Sequence, residues 1–212
     1  MLFNFNFQKN ASCSNNIYNY GTKERVDKLK SILKNRQKSL TVVMENISDP
    51  HNISACLRSC DAVGILEVCI VYDDSTAINL FSTSSASASK WIEIRPFSTI
   101  KECFEALRNE NKKIFTTHLS SKAVSLYDLD LTQNIAFVFG NEHSGVSQEA
   151  VDLADGNFLI PQIGIIQSLN ISVACAVSVF EAIRQRQQNG MLSKAELSEN
   201  EINTKLIKWL LK

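Results

Sequence analysis

The chain has no surplus of charge: its 212 residues carry 22 Lys and Arg against 22 Asp and Glu. It has no apolar run of the roughly 20 residues that a membrane-spanning helix requires. The N-terminus, MLFNFNFQKN, lacks the basic start and apolar block of an export signal. Membrane insertion and secretion are therefore not expected, and a cytoplasmic location is. Six cysteines are present, at 13, 56, 60, 69, 103 and 175, without a CxxC pair or a partnering His cluster. In a chain that is not exported they read as reduced thiols. Cys56 and Cys60 lie four apart on an expected helix, but the surrounding pattern predicts no metal. There is no GxGxxG fingerprint, which argues against the ordinary Rossmann-type site, and there is no internal repeat.

What is present is uneven. Residues 21–40 hold seven Lys and Arg against Glu24 and Asp27, residues 41–180 hold eight against sixteen acids, and residues 181–212 hold six against four. A basic helix on an acidic body suits docking to nucleic-acid phosphates, and a solvated helix face reads equally well from charge alone. The length allows one well-buried domain with short terminal additions. Residues 1–20 read as a poorly ordered extension or an oligomer contact, and 79–90, NLFSTSSASASK, as a mobile loop.

Val26, Leu29, Ile32 and Leu33 mark one face of an amphipathic helix within residues 22–38. Short apolar runs then alternate with helical patterns. Strands are predicted at 41–46, 67–72, 91–95, 113–118, 134–139 and 157–160, and helices at 53–63, 99–110, 148–154 and 169–188. Thr99 with Glu102 reads as a capping box, Ser147 as an N-cap, and Gly64 and Gly190 as C-terminal caps. A last helix, about 194–211, is predicted to start at a capping box of Ser193 and Glu196. Near-continuous apolar strands such as IAFVF and VCIVY imply an α/β fold, a mostly parallel sheet with helices on both faces.

Three stretches carry the chemistry. IPQIGIIQSLNIS (Ile160 to Ser172) bends tightly before a helix and exposes backbone amides, which can hold a flat heterocycle such as adenine by its edge. NISDPHNISACLRSCDAVG (Asn46 to Gly64) leaves a strand, turns at Asp49-Pro50 and enters a helix. There Asn52 reads as an N-cap and Arg58 as a surface residue suited to an ion pair. VFGNEHSGVSQEA (Val138 to Ala150) leaves a strand through Gly140 and carries Glu142 where ligands usually sit, at the carboxyl edge of a parallel sheet. Ser168 reads as a helix cap.

Together with the lead-in TKERVDKLKSILKNRQKSLT and the helix tail EAIRQRQQNGM, these stretches resemble the SpoU/TrmH family of RNA ribose 2′-O-methyltransferases, in the SPOUT superfamily. The resemblance spans roughly residues 22 to 191. It implies the SPOUT α/β-knot, with a deep trefoil knot in the last third of the domain. It implies S-adenosylmethionine as cofactor and guanosine-18 in the D-loop of tRNA as target. Ribosomal RNA is an alternative target, and a non-catalytic RNA-binding member of the family is a second alternative. A homodimer with sites at the subunit interface is also implied.

Residue by residue, the resemblance makes Arg58 catalytic, with Asn52, Glu142, Ser168 and Asn170 around it. Ile160 and Leu169 would cradle the cofactor largely through their backbones, Gly140 would let the backbone approach it, and Thr117 would be a further contact. A guanidinium stays protonated at any working pH, so Arg58 is expected to bind phosphate and polarise the hydroxyl rather than act as a base. His51 is read as structural or substrate-adjacent, and His143 receives no role. Lys28, Lys34 and Lys38 are expected to grip the RNA. Where relatives carry a glycine-rich step before Trp91, this chain has Ser85-Ala86-Ser87-Ala88-Ser89-Lys90. The expected organisation is an extension over 1–20, a methyltransferase domain with its basic helix over 21–190, and a C-terminal helix over 191–212.

Overall fold

The two most apolar strands lie side by side in the middle of the sheet, as their burial on both faces requires. All six residues of β1 (Leu40–Glu45) and all five of β6 (Ile135–Phe139) are buried. The computed structural model describes residues 21–72, 90–120, 123–166 and 168–212. The N-terminal extension and, except for Lys90, the expected mobile loop at 79–90 lie outside these residues.

Around β1 and β6 the sheet adds β2 (Glu67–Val71), β3 (Glu93–Phe97), β4 (Lys113–Thr117), β5 (Val124–Ser125) and β7 (Gly156–Leu159). The order is β3-β2-β1-β6-β4-β7-β5, and every pairing is parallel. Register follows the apolar runs, with Val42 opposite Val68 on one side and Phe137 on the other.

Alternation along the strands divides the core. Leu40, Val42, Met44, Phe137 and Phe139 face α2 (Pro50–Ala62) and α5 (Ile171–Gln188), meeting Ile53, Leu57 and Val179. Val43, Cys69, Ala136 and Val138 face the other way, onto Phe104 and Leu107 of α3 (Ile100–Asn109) and Ala150 of α4 (Gln148–Leu153). A third cluster joins α1 (Lys23–Lys34) to α6 (Glu199–Leu210) through Val26, Leu29, Leu33, Ile202, Leu206 and Trp209. Cys56, Cys60 and Cys175 are buried thiols between α2 and α5. Among the described residues, no group of three or more His, Cys, Asp or Glu is placed to hold a metal, and no helix is long and apolar enough to cross a membrane.

Several expected boundaries shift, each for a local reason. Helix α2 begins at Pro50 rather than 53, because Asp49 caps it by accepting from the His51 amide at 2.8 Å and proline is well suited to the first helical position. Asn52 is therefore not the N-cap. Ser168 is not a cap either, since Asn170 caps α5 by accepting from the Ser172 amide at 2.9 Å. The last helix starts at Glu199, with its capping box formed by Ser198 and Glu201 instead of Ser193 and Glu196. Bonds from the Ser198 amide, from Lys38 and from the Ser198 hydroxyl pull the Glu201 carboxyl down to about 2.

Glu196 has a different task. Its carboxylate accepts from the amides of Lys38 and Ser39, at 2.7 Å each, and from the Ser39 hydroxyl at 2.7 Å. Beside it Arg186, fully buried, donates to Gln37 Oε1 (2.8 Å), Ser39 Oγ (2.8 Å) and the carbonyls of Leu131 (3.0 Å) and Gln133 (2.8 Å). A buried cation is tolerable only when its donors are met in this way. The basic helix is shorter than expected, ending at Lys34. Arg36 is buried, paired with Asp61, with its guanidinium 5.2 Å from the Trp209 ring centroid.

Candidate active site

In an all-parallel sheet the carboxyl ends of neighbouring strands share one edge, and here the loops after β1, β6, β4 and β7 meet there. Three of these loops form a cavity of about 620 Å³. Its walls include Thr117 and His118 after β4, Gly140 to Gly145 after β6, and Ile160, Ser168, Leu169 and Asn170 between β7 and α5. This volume is ordinary for a small-molecule site.

The segment from Ile160 to Asn170 is neither helix nor strand over its described residues, so its backbone is not consumed by a ladder. Leu169 is partly exposed at the wall, and Ile160 packs on the core behind it. Thr117 donates its hydroxyl to the Val138 carbonyl at 3.1 Å, which fixes the end of β4 against β6. Gly140 owes its identity to the loop itself. A Cβ there would lie 2.2 Å from the backbone of Gly145 and Val146, so the chain must double back on a residue without one.

Beside the cavity, Glu142 gathers four donors. The Asn52 carboxamide reaches Oε1 at 2.9 Å and the Asp49 amide reaches it at 3.4 Å; the Ser48 amide and hydroxyl reach Oε2 at 3.3 and 3.1 Å. Burial pushes this carboxyl up, but bonds from Asn52, from its own backbone amide and from Ser48 outweigh it, leaving Glu142 below the ordinary carboxylate range. Asn52 passes the contact on, accepting at Oδ1 from Asn170 Nδ2 at 3.1 Å. A continuous polar chain therefore runs from the loop after β1, through Glu142 and Asn52, to the cap of α5. Placing Asn52 inside the first turn of α2, rather than at its cap, leaves both ends of its carboxamide available for this.

Of the residues singled out from sequence, Glu142, Asn52, Asn170, Ser168, Gly140, Ile160, Leu169 and Thr117 come together here. Arg58 does not line the cavity. It stands six residues past Asn52, about 9 Å along α2, exposed, and among the described residues its side chain makes no hydrogen bond or ion pair. His51 is exposed at the start of α2, and His143 is exposed on the loop after β6. Lys28, Lys34 and Lys38 are all exposed, with Lys34 4.0 Å from Glu199 and Lys38 2.9 Å from Glu201. Sequence reasoning overlooked Ser48 and Asp49 as partners of Glu142. Two of the four donors are backbone amides, which no side-chain pattern announces.

A parallel α/β domain with an open cavity at the carboxyl edge of its sheet has the layout of a small-molecule-binding domain. The comparisons narrow it. The chain belongs to the SpoU rRNA Methylase family, whose model matches residues 39–180. It is 39% identical over 191 residues to the tRNA (guanosine(18)-2′-O)-methyltransferase of Thermus thermophilus, covering 90% of this chain and 98% of that one. It is 35% identical over 150 residues to a 23S rRNA (guanosine-2′-O-)-methyltransferase of Xanthomonas campestris, covering 70% of this chain and 60% of that one. Among solved structures it is similar to the A. aeolicus TrmH/SpoU tRNA modifying enzyme, with a TM-score of 0.82, 36% identity and coverage of 89% and 96%.

Proposed function

We propose that the protein transfers a methyl group from S-adenosylmethionine to a ribose 2′-hydroxyl in RNA, with guanosine-18 in the D-loop of tRNA as the target. The observation that carries this reading is the Glu142–Asn52–Asn170 chain beside the cavity in a member of the SpoU family. The choice of tRNA rests on coverage: the chain spans 98% of the Thermus thermophilus tRNA enzyme but only 60% of the Xanthomonas campestris rRNA enzyme.

The cavity fits a nucleoside in size, and the described residues of 160–169, outside any strand ladder, offer amides for a base edge with apolar side chains for its faces. Bound S-adenosylmethionine would supply the electrophilic methyl group. The protein's own work is placement and charge. Thr117, Gly140, Ile160 and Leu169 hold the cofactor. Ser168 and Asn170 stand where the acceptor ribose enters, and Glu142 keeps Asn52 oriented toward them. Arg58 grips a substrate phosphate and polarises the hydroxyl as its proton is lost. Without a side-chain partner among the described residues, its guanidinium donors are open to that task.

We also place the site between two copies of the chain. Arg58 does not line the cavity of its own protomer. Ile163, Ile165 and Ile166 are strongly exposed beside the cavity, and Val173 and Phe180 are exposed seven residues apart on one face of α5. A sedimentation measurement giving a monomer at micromolar concentration would sink this part. A trefoil knot in the last third of the domain is part of the same proposal and rests on family membership. The enzyme would act in the cytoplasm.

Unmodified tRNA and ribosomal RNA, each incubated with the protein and labelled S-adenosylmethionine, should separate the two targets. Liquid chromatography–mass spectrometry should find a 2′-O-methyl group on guanosine-18 of tRNA. A label confined to ribosomal RNA would overturn the assignment. For RNA docking, neutralising Lys28, Lys34 and Lys38 together should weaken tRNA binding and flatten its salt dependence by up to about three counterions. Because Lys34 and Lys38 already face Glu199 and Glu201, the loss per lysine should be smallest at these two. An unchanged salt slope would remove α1 from the RNA surface.

A further inference from the structure

The carboxylate of Glu142 sits on amides that belong to the loop of a different strand, so something must fix the spacing between the two loops. The residue before it does so. Asn141 Nδ2 donates to the carbonyl of Asn46 at 2.7 Å, while its Oδ1 accepts from the amides of His143 at 2.9 Å and Ser144 at 3.3 Å. The Asn141 carbonyl also accepts from the Gly145 amide at 2.9 Å. One carboxamide thus closes the turn 141–145 and fastens it to the end of β1.

The anchor is itself constrained. Asn46 adopts a φ of 50°, in the left-handed region that asparagine tolerates better than most residues, and its amide donates to Val71 of β2 at 2.9 Å. The direction of its carbonyl is therefore set by the sheet.

We propose that Asn141 is a positioning residue that holds the loop after β6 in register with the loop after β1, so that Glu142 meets Ser48, Asp49 and Asn52. The role deepens the methyltransferase reading and rests on it for its effect on turnover. A carboxamide is needed because the position requires one donor and one acceptor at once. Aspartate has the same shape but offers acceptors only. It keeps the turn amides satisfied and sets a carboxylate against the Asn46 carbonyl, opening the strut between loops alone.

The test compares the wild type, Asn141→Asp, Glu142→Gln and the double variant in the full chain. Asn141→Asp should lower kcat roughly tenfold or more, as misplacement by a fraction of an ångström does, with KM for tRNA and S-adenosylmethionine within about twofold. The double variant should be no slower than Glu142→Gln, because residues acting through one another do not add. Losses that multiply, or a kcat equal to the wild type, would overturn the proposal. Amide hydrogen exchange reads the same strut without turnover. Ser48 and Asp49 should exchange faster in Asn141→Asp, and unchanged protection there overturns the proposal whatever the activity. Where Asn141→Asp fails to fold, Asn141→Ser keeps a turn acceptor and is read the same way. A wild type that methylates no RNA but shows the exchange difference removes the methyltransferase reading and leaves the strut standing.

Discussion

Arg58→Ala should lower the rate of methyl transfer at least about a hundredfold, the scale set by removing one donor aimed at developing charge. The same variant should bind tRNA and S-adenosylmethionine nearly as well as the wild type and should unfold within about 0.5 kcal/mol of it, as surface substitutions without partners do. The stability half of the expectation follows from the structure: the side chain is exposed and makes no hydrogen bond or ion pair among the described residues. Arg58→Lys should recover little, since an ammonium cannot present two parallel donors to a phosphate. Single-turnover kinetics with saturating cofactor checks both variants. Wild-type turnover in Arg58→Ala would remove Arg58 from the mechanism and leave no cation at the reacting hydroxyl.

Glu142→Gln should have the second largest effect. The carboxylate only accepts, and its partners only donate at the geometry observed: Asn52 and Asp49 to one oxygen, the Ser48 amide to the other. A glutamine must turn its NH2 toward one of these donors. The expected result is a tenfold to hundredfold loss of kcat from misdirection of Asn52, with a stability loss of only about 1 kcal/mol because the site is half open to water. pH distinguishes the variant further. Hydrogen bonds hold Glu142 below the ordinary carboxylate range. Its contribution to stability is therefore complete above the unfolded value of about 4.3 and is lost as pH falls through the lower folded value. Glu142→Gln should lack that acid-side loss, so its unfolding free energy should converge with the wild type's as pH falls below 4. Parallel curves down to low pH would show that the carboxylate is not held as described.

The strands were legible because each is a short apolar run bounded by turn residues, and the six that were read lie within two residues of their observed limits. β5 was not, because two residues, Val124 and Ser125, carry no period. Helix starts depend on competition among neighbouring caps. Asp49-Pro50 outcompetes Asn52, and Ser198 with Glu201 outcompetes Ser193 with Glu196, where the same spacing occurs twice within nine residues. Most of the cavity walls could be named from the three motif stretches, since loops after parallel strands share one edge. What sequence could not give is which backbone amides a carboxylate would find, because Ser48 and Asp49 act on Glu142 largely through groups every residue has. The fate of Arg36 was equally hidden: in a run of lysines it reads as one more surface cation, yet it lies buried against Asp61 and Trp209.

The bracket formed by Glu196 and Arg186 around residues 37–39 has a consequence for how the molecule comes apart. The peptide near residue 191 looks like a place to divide the chain, but Glu196 lies beyond it and holds the amides that lead into β1, the central strand. A protein trimmed there would lose the counterion of its most buried cation together with the far wall of the α1 cluster. Helix α1 and the C-terminal helix therefore behave as a single cooperative unit, and the C-terminal helix is a buttress of the sheet rather than a removable tail.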